Sequence, residues 1–248
     1  MIGGARQPRE DGPSPVPPSH QGCAIRSVRL QLPAQRGELR DRHEDGHHIH
    51  HLVWRLGPGV RVCSSAVLGG GIGPRAWILN AQVPGGYPRL DPDRHLAEIA
   101  ASEGLTGPGA GLMTAADVAA YTTGHDGGVT ATVTTGLGVR GWAASADVDC
   151  LPHRPGTVNI VLTLPAALSD AALVNAVATA TEAKVQALLD AGLDCSGTPT
   201  DAVCVAAPEP GPDGGEPFAG PRSTWGARIA RAVHTAVLAG ARPARDLS

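Results

Sequence analysis

Residues 157–205 read TVNIVLTLPAALSDAALVNAVATATEAKVQALLDAGLDCSGTPTDAVCV and decide the expected fold. The first part, 157–164, is apolar and rich in β-branched residues, as strands are. Ser169 and Asp170 then supply a helix N-cap, and Gly192 ends the helix that follows. A second apolar run at 202–205 predicts another strand. The segment is therefore a strand–helix–strand unit, a connection that brings the ends of its strands together.

The helix of this unit carries two lines of side chains. An apolar stripe is expected to face inward and consists of Val174, Val177, Thr181, Val185 and Leu188. A polar line beside it consists of Asn175, Thr179, Glu182 and Gln186. Glu182 is a candidate catalytic residue because the helix lies between the strand with Asn159 and the turn at 197–201. A solvated helix face is the alternative interpretation.

Short strands and two further helices are predicted outside this unit. Strand-like runs occur at 51–56, 60–63, 66–68, 76–79, 111–114 and 129–134. Asp91 and Pro92 begin one helix, which Gly104 ends, and Ser223 caps the last helix. The predicted fold class is α/β (or α+β), with a layered mixed sheet and helices packed on it in a single domain.

The first 48 residues differ in composition from the rest. They are rich in Pro, Gly, Arg and Gln, so we expect residues 1–48 to be a low-complexity, disordered extension. A folded domain is expected over 49–242, followed by a short tail at 243–248. Five histidines crowd the end of the extension, and we interpret them as solvated tail residues with only adventitious metal affinity: His43, His47, His48, His50 and His51.

The whole-chain composition argues against several classes of partner. The formal net charge is −3 and the charges are interspersed, so no basic stripe indicates nucleic-acid binding. No apolar run is long enough to span a membrane. The five cysteines form an odd set without CxxC spacing, which favours the cytoplasm. No residue spacing recommends a metal site, no cofactor is expected, and the oligomeric state, including a homo-oligomer, stays open.

A glycine run, Gly69-Gly70-Gly71-Ile72-Gly73, resembles a dinucleotide-binding loop in its spacing. Such a loop must lead into a helix N-terminus, whereas Pro74 and the residues after it predict extended chain. A turn between two strands is therefore preferred, and a nicotinamide-dependent oxidoreductase ranks last among the functions considered. Gly70 and Gly71 remain candidate substrate-binding residues because their bare backbone would admit a bulky ligand.

Two glycine-flanked segments concentrate chemically active side chains. His125 is expected on a loop before a strand, where it would serve as a general acid or base, or would simply bond to backbone. In the turn 197–201, Gly197 permits a backbone conformation closed to other residues, and Thr200 and Asp201 present a hydroxyl and a carboxylate. A structural turn in which Asp201 bonds to its own backbone is the alternative.

Six segments of the chain carry a resemblance to a known family: GTVNIVLTLPAALSDAALVNAVATATEAKVQALLDAG, GTPTDAVCVA, FAGPRSTWGARIARAV, AVLGGGIGPRAWILNAQVP, GLMTAADV and VTATVTTGLG. Together they resemble the adenosylcobinamide amidohydrolase family over about residues 50–240. Pro199 departs from the family, whose members often have a second glycine at this point of the turn.

The resemblance implies that the protein hydrolyses the amide between the aminopropanol arm and the corrin ring of adenosylcobinamide. The product would be adenosylcobyric acid, for coenzyme B12 salvage. A non-catalytic corrinoid-binding or transport-associated module is the alternative.

Amide hydrolysis needs an activated nucleophile, a donor to the oxyanion and an acid for the leaving amine. From the residues we expect Asp201 or Glu182 to activate water, Asn159 to stabilise the oxyanion, and His125 or Lys184 to serve the amine. Thr200 as a covalent nucleophile is the rival hypothesis. The substrate-binding candidates are Asn80, Gly70, Gly71, Thr198 and Lys184.

Overall fold

The computed structural model describes residues 36–145 and 156–242. Its strands are β1 (Glu38–Glu44), β2 (His47–Arg55), β3 (Val60–Ser64), β4 (Gly71–Pro74), β5 (Trp77–Gln82), β6 (Gly109–Thr114), β7 (Thr122–Asp126), β8 (Val129–Gly136), β9 (Thr157–Thr163) and β10 (Ala202–Pro208). Its helices are α1 (Pro92–Ser102), α2 (Asp170–Asp190) and α3 (Thr224–Ala241), with a short 3-10 helix at Val118–Ala120.

The strands form two mixed sheets, a small one with the order β1-β2-β5-β6 and a large one with the order β4-β3-β10-β9-β8-β7. Each sheet contains one parallel pair joined by a helix, β5–α1–β6 in the small sheet and β9–α2–β10 in the large one. The strand–helix–strand unit expected at 157–205 is therefore confirmed. The expected α/β class, with helices packed on mixed sheet, is also confirmed, and the strands are divided between two sheets.

Three buried clusters show that the molecule has four layers. Side chains of both sheets meet in the middle, with Trp54 and Leu112 from the small sheet and Val161 from the large one. Helix α1 covers the outer face of the small sheet, and α2 and α3 cover the outer face of the large sheet. Alternate residues of each strand therefore face a helix layer or the opposite sheet.

Three predicted elements differ in the structure. Residues 66–68 are not a strand; Leu68 makes only an isolated bridge with Gly111. The segment with His125 is β7 rather than a loop, because it pairs with β8 along its length. The histidine-rich residues assigned to the extension form β1 and β2, so that assignment is wrong for residues 38–48; residues 1–35 lie outside the described residues.

The inward side of α2 also differs from the predicted stripe. Val174 is 57% exposed, whereas the buried side is mostly alanine, at positions 176, 180, 183 and 187. Small side chains let α2 lie close to α3, so packing rather than side-chain hydrophobicity selects the inward side. This rotation leaves Glu182 exposed and turns Lys184 inward.

No helix within residues 36–145 and 156–242 combines the length and the apolar character that crossing a bilayer requires.

Candidate active site

A cavity of about 470 Å³ lies between the two sheets, and we call it the inter-sheet cavity. Its wall combines the first residues of β9 and β10 with the last residues of β6 and the segments next to them. The lining residues are Ser65, Ala66, Val67, Val83, Tyr87, Pro92, Leu112, Met113, Thr114, Ala115, Thr157, Asn159, Thr200, Asp201 and Ala202. Asn159, Thr200 and Asp201, three of the residues selected from the sequence, therefore share one cavity.

Asp201 holds together the turn at 197–201. Its Oδ1 accepts hydrogen bonds from the Val158 amide, at 2.9 Å, and from the Thr198 hydroxyl. Its Oδ2 accepts from the Thr198 amide, at 3.2 Å, and from Lys184 Nζ. Four donors occupy the lone pairs of this carboxylate, which ties the turn to β9 and α2 at once.

The ion pair of Lys184 and Asp201 is buried, with side-chain exposures of 8% and 12%. Gly197 makes room for it: the glycine has φ +150°, and a Cβ atom there would overlap Asp201 Oδ2 and crowd Lys184 Nζ. The special backbone expected of Gly197 is therefore confirmed, and the reason is the buried pair beside it.

Thr200 presents its hydroxyl beside that of Thr157, with 2.7 Å between the two oxygens. It also donates to the carbonyl oxygen of Gly156 at 3.1 Å. Neither partner is a base, so the arrangement does not provide the adjacent proton acceptor that a nucleophilic hydroxyl requires.

Asn159 joins the two sheets. Its Nδ2 donates to Asn80 Oδ1 at 2.8 Å and to the Met113 carbonyl at 3.1 Å, and Asn80 in turn donates to Thr134 Oγ1 at 3.0 Å. Asn159 Oδ1 is buried and has no hydrogen-bond partner among the described residues. The Nδ2 hydrogens of Asn159 are thus bonded within the protein, while Oδ1 can still accept a hydrogen bond.

The remaining sequence candidates lie elsewhere. His125 pairs with Thr130 across β7 and β8, whereas Asn159 pairs with Thr134, four residues further along β8. The His125 side chain lines a separate cavity of about 150 Å³, where its Nδ1 lies 3.0 Å from Thr130 Oγ1. Gly70 does not line the inter-sheet cavity, and a Cβ atom there would come within 2.6 Å of the Ala66 carbonyl oxygen. Gly71 has φ +86° and begins β4, so both glycines shape a turn, the role preferred for the run as a whole.

A hydrogen-bonded chain from the small sheet also reaches the inter-sheet cavity, and the sequence did not reveal it. Tyr87 lines the cavity and its hydroxyl lies 2.9 Å from His95 Nδ1. His95 Nε2 lies 3.0 Å from Glu44 Oε1. Burial raises the pKa of Tyr87. The three residues are scattered in sequence, and Glu44 falls in the segment expected to be disordered.

The buried thiols do not provide a nucleophile. Burial raises the pKa of Cys204 to about 12, and it also raises the pKa values of Cys63 and Cys195. A thiol that stays protonated is a poor nucleophile. Within residues 36–145 and 156–242, no three His, Cys, Asp or Glu side chains are grouped so that they could hold a metal ion.

Comparisons with known proteins identify the family of the chain. The family model described as adenosylcobinamide amidohydrolase matches residues 36–248. A protein of that name from Methanosarcina mazei is 35% identical over 185 residues, which are 71% of this chain and 88% of that protein. Another from Halobacterium salinarum is 46% identical over 85 residues, 34% of this chain and 36% of that protein. The chain therefore belongs to the adenosylcobinamide amidohydrolase family, a family of hydrolases.

Proposed function

We propose that the protein hydrolyses the amide between the aminopropanol arm and the corrin ring of adenosylcobinamide, giving adenosylcobyric acid for coenzyme B12 salvage. Family membership and the name of the Methanosarcina mazei relative support the reaction. The inter-sheet cavity is the proposed site of the reaction.

The observation that carries this placement is the unpaired Oδ1 of Asn159. A buried acceptor without a donor is costly, and a ligand or water that supplies the donor removes that cost. A secondary amide offers one N–H, and Asn159 Oδ1 would accept it. The proposed role of Asn159 is thus to orient the amide, since its Nδ2 hydrogens already bond to Asn80 and Met113.

The rest of the wall suits a large ligand with an apolar face. Ala66, Val67, Leu112 and Met113 contribute apolar surface beside the polar end formed by Thr157, Thr200 and Asp201. Binding sites commonly combine apolar walls with a few fixed polar groups in this way.

In this proposal water, rather than Thr200, attacks the amide. Thr200 has no base beside it, and the Asp201 carboxylate is occupied by four donors. Asp201, Thr198 and Lys184 therefore act by holding the turn, and the base is supplied from elsewhere in the cavity.

The test is to incubate the purified protein with adenosylcobinamide in H₂¹⁸O and to follow the products by mass spectrometry. We expect adenosylcobyric acid with one ¹⁸O in the new carboxyl group, together with free aminopropanol. Thr200→Val should retain activity, and Thr181→Val, an exposed threonine of α2, serves as its control. An acyl adduct on Thr200 would refute attack by water, and binding without conversion would instead favour a corrinoid-binding module.

We also propose that the protein works in the cytoplasm. Cys63, Cys195 and Cys204 are free thiols, as expected in a reducing compartment. Alkylation of intact cells followed by mass spectrometry of the protein would test this, because oxidised cysteines would contradict it.

A further inference from the structure

We propose that Tyr87 is the acid–base group of the inter-sheet cavity, with His95 and Glu44 as positioning residues that receive and hold its proton. The inference rests on the proposed amide hydrolysis and names the missing base. It draws on residues of β1, of α1 and of the loop before α1, none of which was a candidate in the sequence.

The geometry forms one continuous chain from the cavity through buried His95 to Glu44 on the edge strand β1. Tyr87 lines the cavity, His95 is 5% exposed, and the hydroxyl of Tyr87 lies 2.9 Å from Nδ1 of His95. The two rings are stacked, with centroids 5.6 Å apart and planes 9° from parallel. This stacking fixes the hydroxyl against the imidazole, so the pair is preorganised for proton transfer.

Glu44 sets the tautomer of His95. Oε1 of Glu44 lies 3.0 Å from His95 Nε2, and Oε2 accepts from Arg42 at 2.8 Å and 3.0 Å. A carboxylate can only accept, so Nε2 carries the proton of the neutral imidazole. Nδ1 is then the free acceptor, and the Tyr87 hydroxyl donates to it.

This arrangement moves one proton in and out of the cavity during each turnover. In the first step the water oxygen forms a bond to the amide carbon, and the carbonyl π pair moves to the carbonyl oxygen. A proton of the water passes to the Tyr87 hydroxyl while the hydroxyl proton of Tyr87 passes to His95 Nδ1. In the second step the oxyanion re-forms the carbonyl and the C–N bond breaks, and the electron pair of that bond leaves with nitrogen. The proton on His95 returns through Tyr87 to this nitrogen, which gives the free amine. His95 begins and ends neutral, and Glu44 stabilises the imidazolium between the two steps.

Other charged groups around the chain are already paired. Arg42 bonds to Glu44 behind His95. On the Tyr87 side, Arg89 forms ion pairs with Asp91 and Glu98. Arg89 favours the ionised form of the Tyr87 hydroxyl, and Asp91, Glu44 and Glu98 oppose it. The imidazole of His95 is therefore the group behind Tyr87 that receives the proton.

The experiment measures kcat and KM with adenosylcobinamide for the wild type, Tyr87→Phe and Glu44→Gln. Tyr87→Phe removes one oxygen and keeps the ring, and we expect kcat to fall by about 100-fold or more while KM changes little. Tyr121→Phe, in the smaller cavity with His125, is the matched control and should retain wild-type kcat.

Glu44→Gln tests the role of the carboxylate charge, because it keeps the size of the side chain and removes the charge. A chain of hydrogen bonds that only supports the fold would not need this charge for catalysis. The imidazolium that forms on His95 during turnover would lose the negative charge beside its Nε2 in this variant. We therefore expect kcat to fall in Glu44→Gln while KM changes little.

Two results would overturn the inference. An active wild type with unchanged kcat in both Tyr87→Phe and Glu44→Gln would refute the relay and leave the proposed function intact. A wild type that does not convert adenosylcobinamide would refute the proposed function and the role of Tyr87 together.

Discussion

Gly197 lies where the backbone, a lysine and a carboxylate come closest together, and no larger residue fits there. We expect Gly197→Ala to push Asp201 away from Lys184, lower the free energy of unfolding by about 1–3 kcal/mol and reduce activity. Urea unfolding and the product assay measure the two effects. Gly211→Ala, where a Cβ atom meets nothing within 4 Å, is the control. Equal stability of the two variants would contradict the proposed crowding.

Lys184 neutralises a carboxylate that has little access to water. Lys184→Met should lower the free energy of unfolding by about 3–5 kcal/mol, because it leaves the Asp201 charge buried and unpaired. The double variant with Asp201→Asn should recover part of this loss. Arg231→Met breaks the exposed pair with Asp126 and should cost about 0–1 kcal/mol. Chemical denaturation of the wild type and the three variants measures these losses of stability. An equal loss for Lys184→Met and for the double variant would contradict the expected recovery.

For individual residues, the sequence predicted which residue types form the site better than it predicted their hydrogen-bond partners. The turn 197–201 was selected because Thr and Asp follow a glycine, and Asp201 does lie in the inter-sheet cavity. That its carboxylate is fully occupied depends on Val158 and Lys184, which approach only in the folded protein. Tyr87, His95 and Glu44 showed no local pattern, because their hydrogen bonds join a strand, a loop and a helix.

Among the elements, α2 shows how small residues determine packing. Ala180 is fully buried on the inward side of α2, so Ala180→Leu should lower the free energy of unfolding by about 1–3 kcal/mol through overpacking. Val174→Lys, at an exposed position of the same helix, should change it by less than about 0.5 kcal/mol. Thermal and urea unfolding of both variants would show which side faces inward. A larger loss for Val174→Lys would favour the stripe predicted from the sequence.

The elements themselves were largely predictable, because caps and alternation are local signals. Ser169 and Ser223 cap α2 and α3 through hydrogen bonds to the amides of Ala172 and Gly226, as their positions in the sequence indicate. The hairpin of β1 and β2 was missed because its charged and histidine side chains resemble those of a solvated tail. It is stable as an edge of the small sheet, where β2 pairs with β5 and Ile49 is buried.

The whole molecule should also lose stability on the acid side through His51, which lies between the small sheet and the end of α1. Burial lowers the pKa of His51 below its usual 6.5, and Glu103 offsets this in part. Below pH 6.5 the unfolded chain therefore binds a proton that the folded chain does not. We expect the free energy of unfolding to decrease as pH falls below this value, by at most about 1.4 kcal/mol per pH unit from this group.

The measurement is urea unfolding at a series of pH values for the wild type and His51→Asn. The variant should show a shallower loss below pH 6.5, relative to its own stability at neutral pH. His47→Asn, which changes an exposed histidine of the same strand, should retain the wild-type slope. Identical slopes for the wild type and His51→Asn would contradict this assignment.

The division of the strands between two sheets affects when the folding chain becomes active. The turn at Asp201 belongs to the β9–α2–β10 unit of the large sheet, whereas the Tyr87 chain belongs to β1, α1 and the loop before α1. Contacts within each group close shorter stretches of chain than the bond between Asn159 and Asn80, which joins the sheets, and contacts over short stretches form sooner. Each sheet therefore carries one half of the proposed machinery, and a nascent or partly folded molecule should be inert towards amides until the two halves dock. Recovery of hydrolysis after dilution from urea should then lag behind the return of secondary structure.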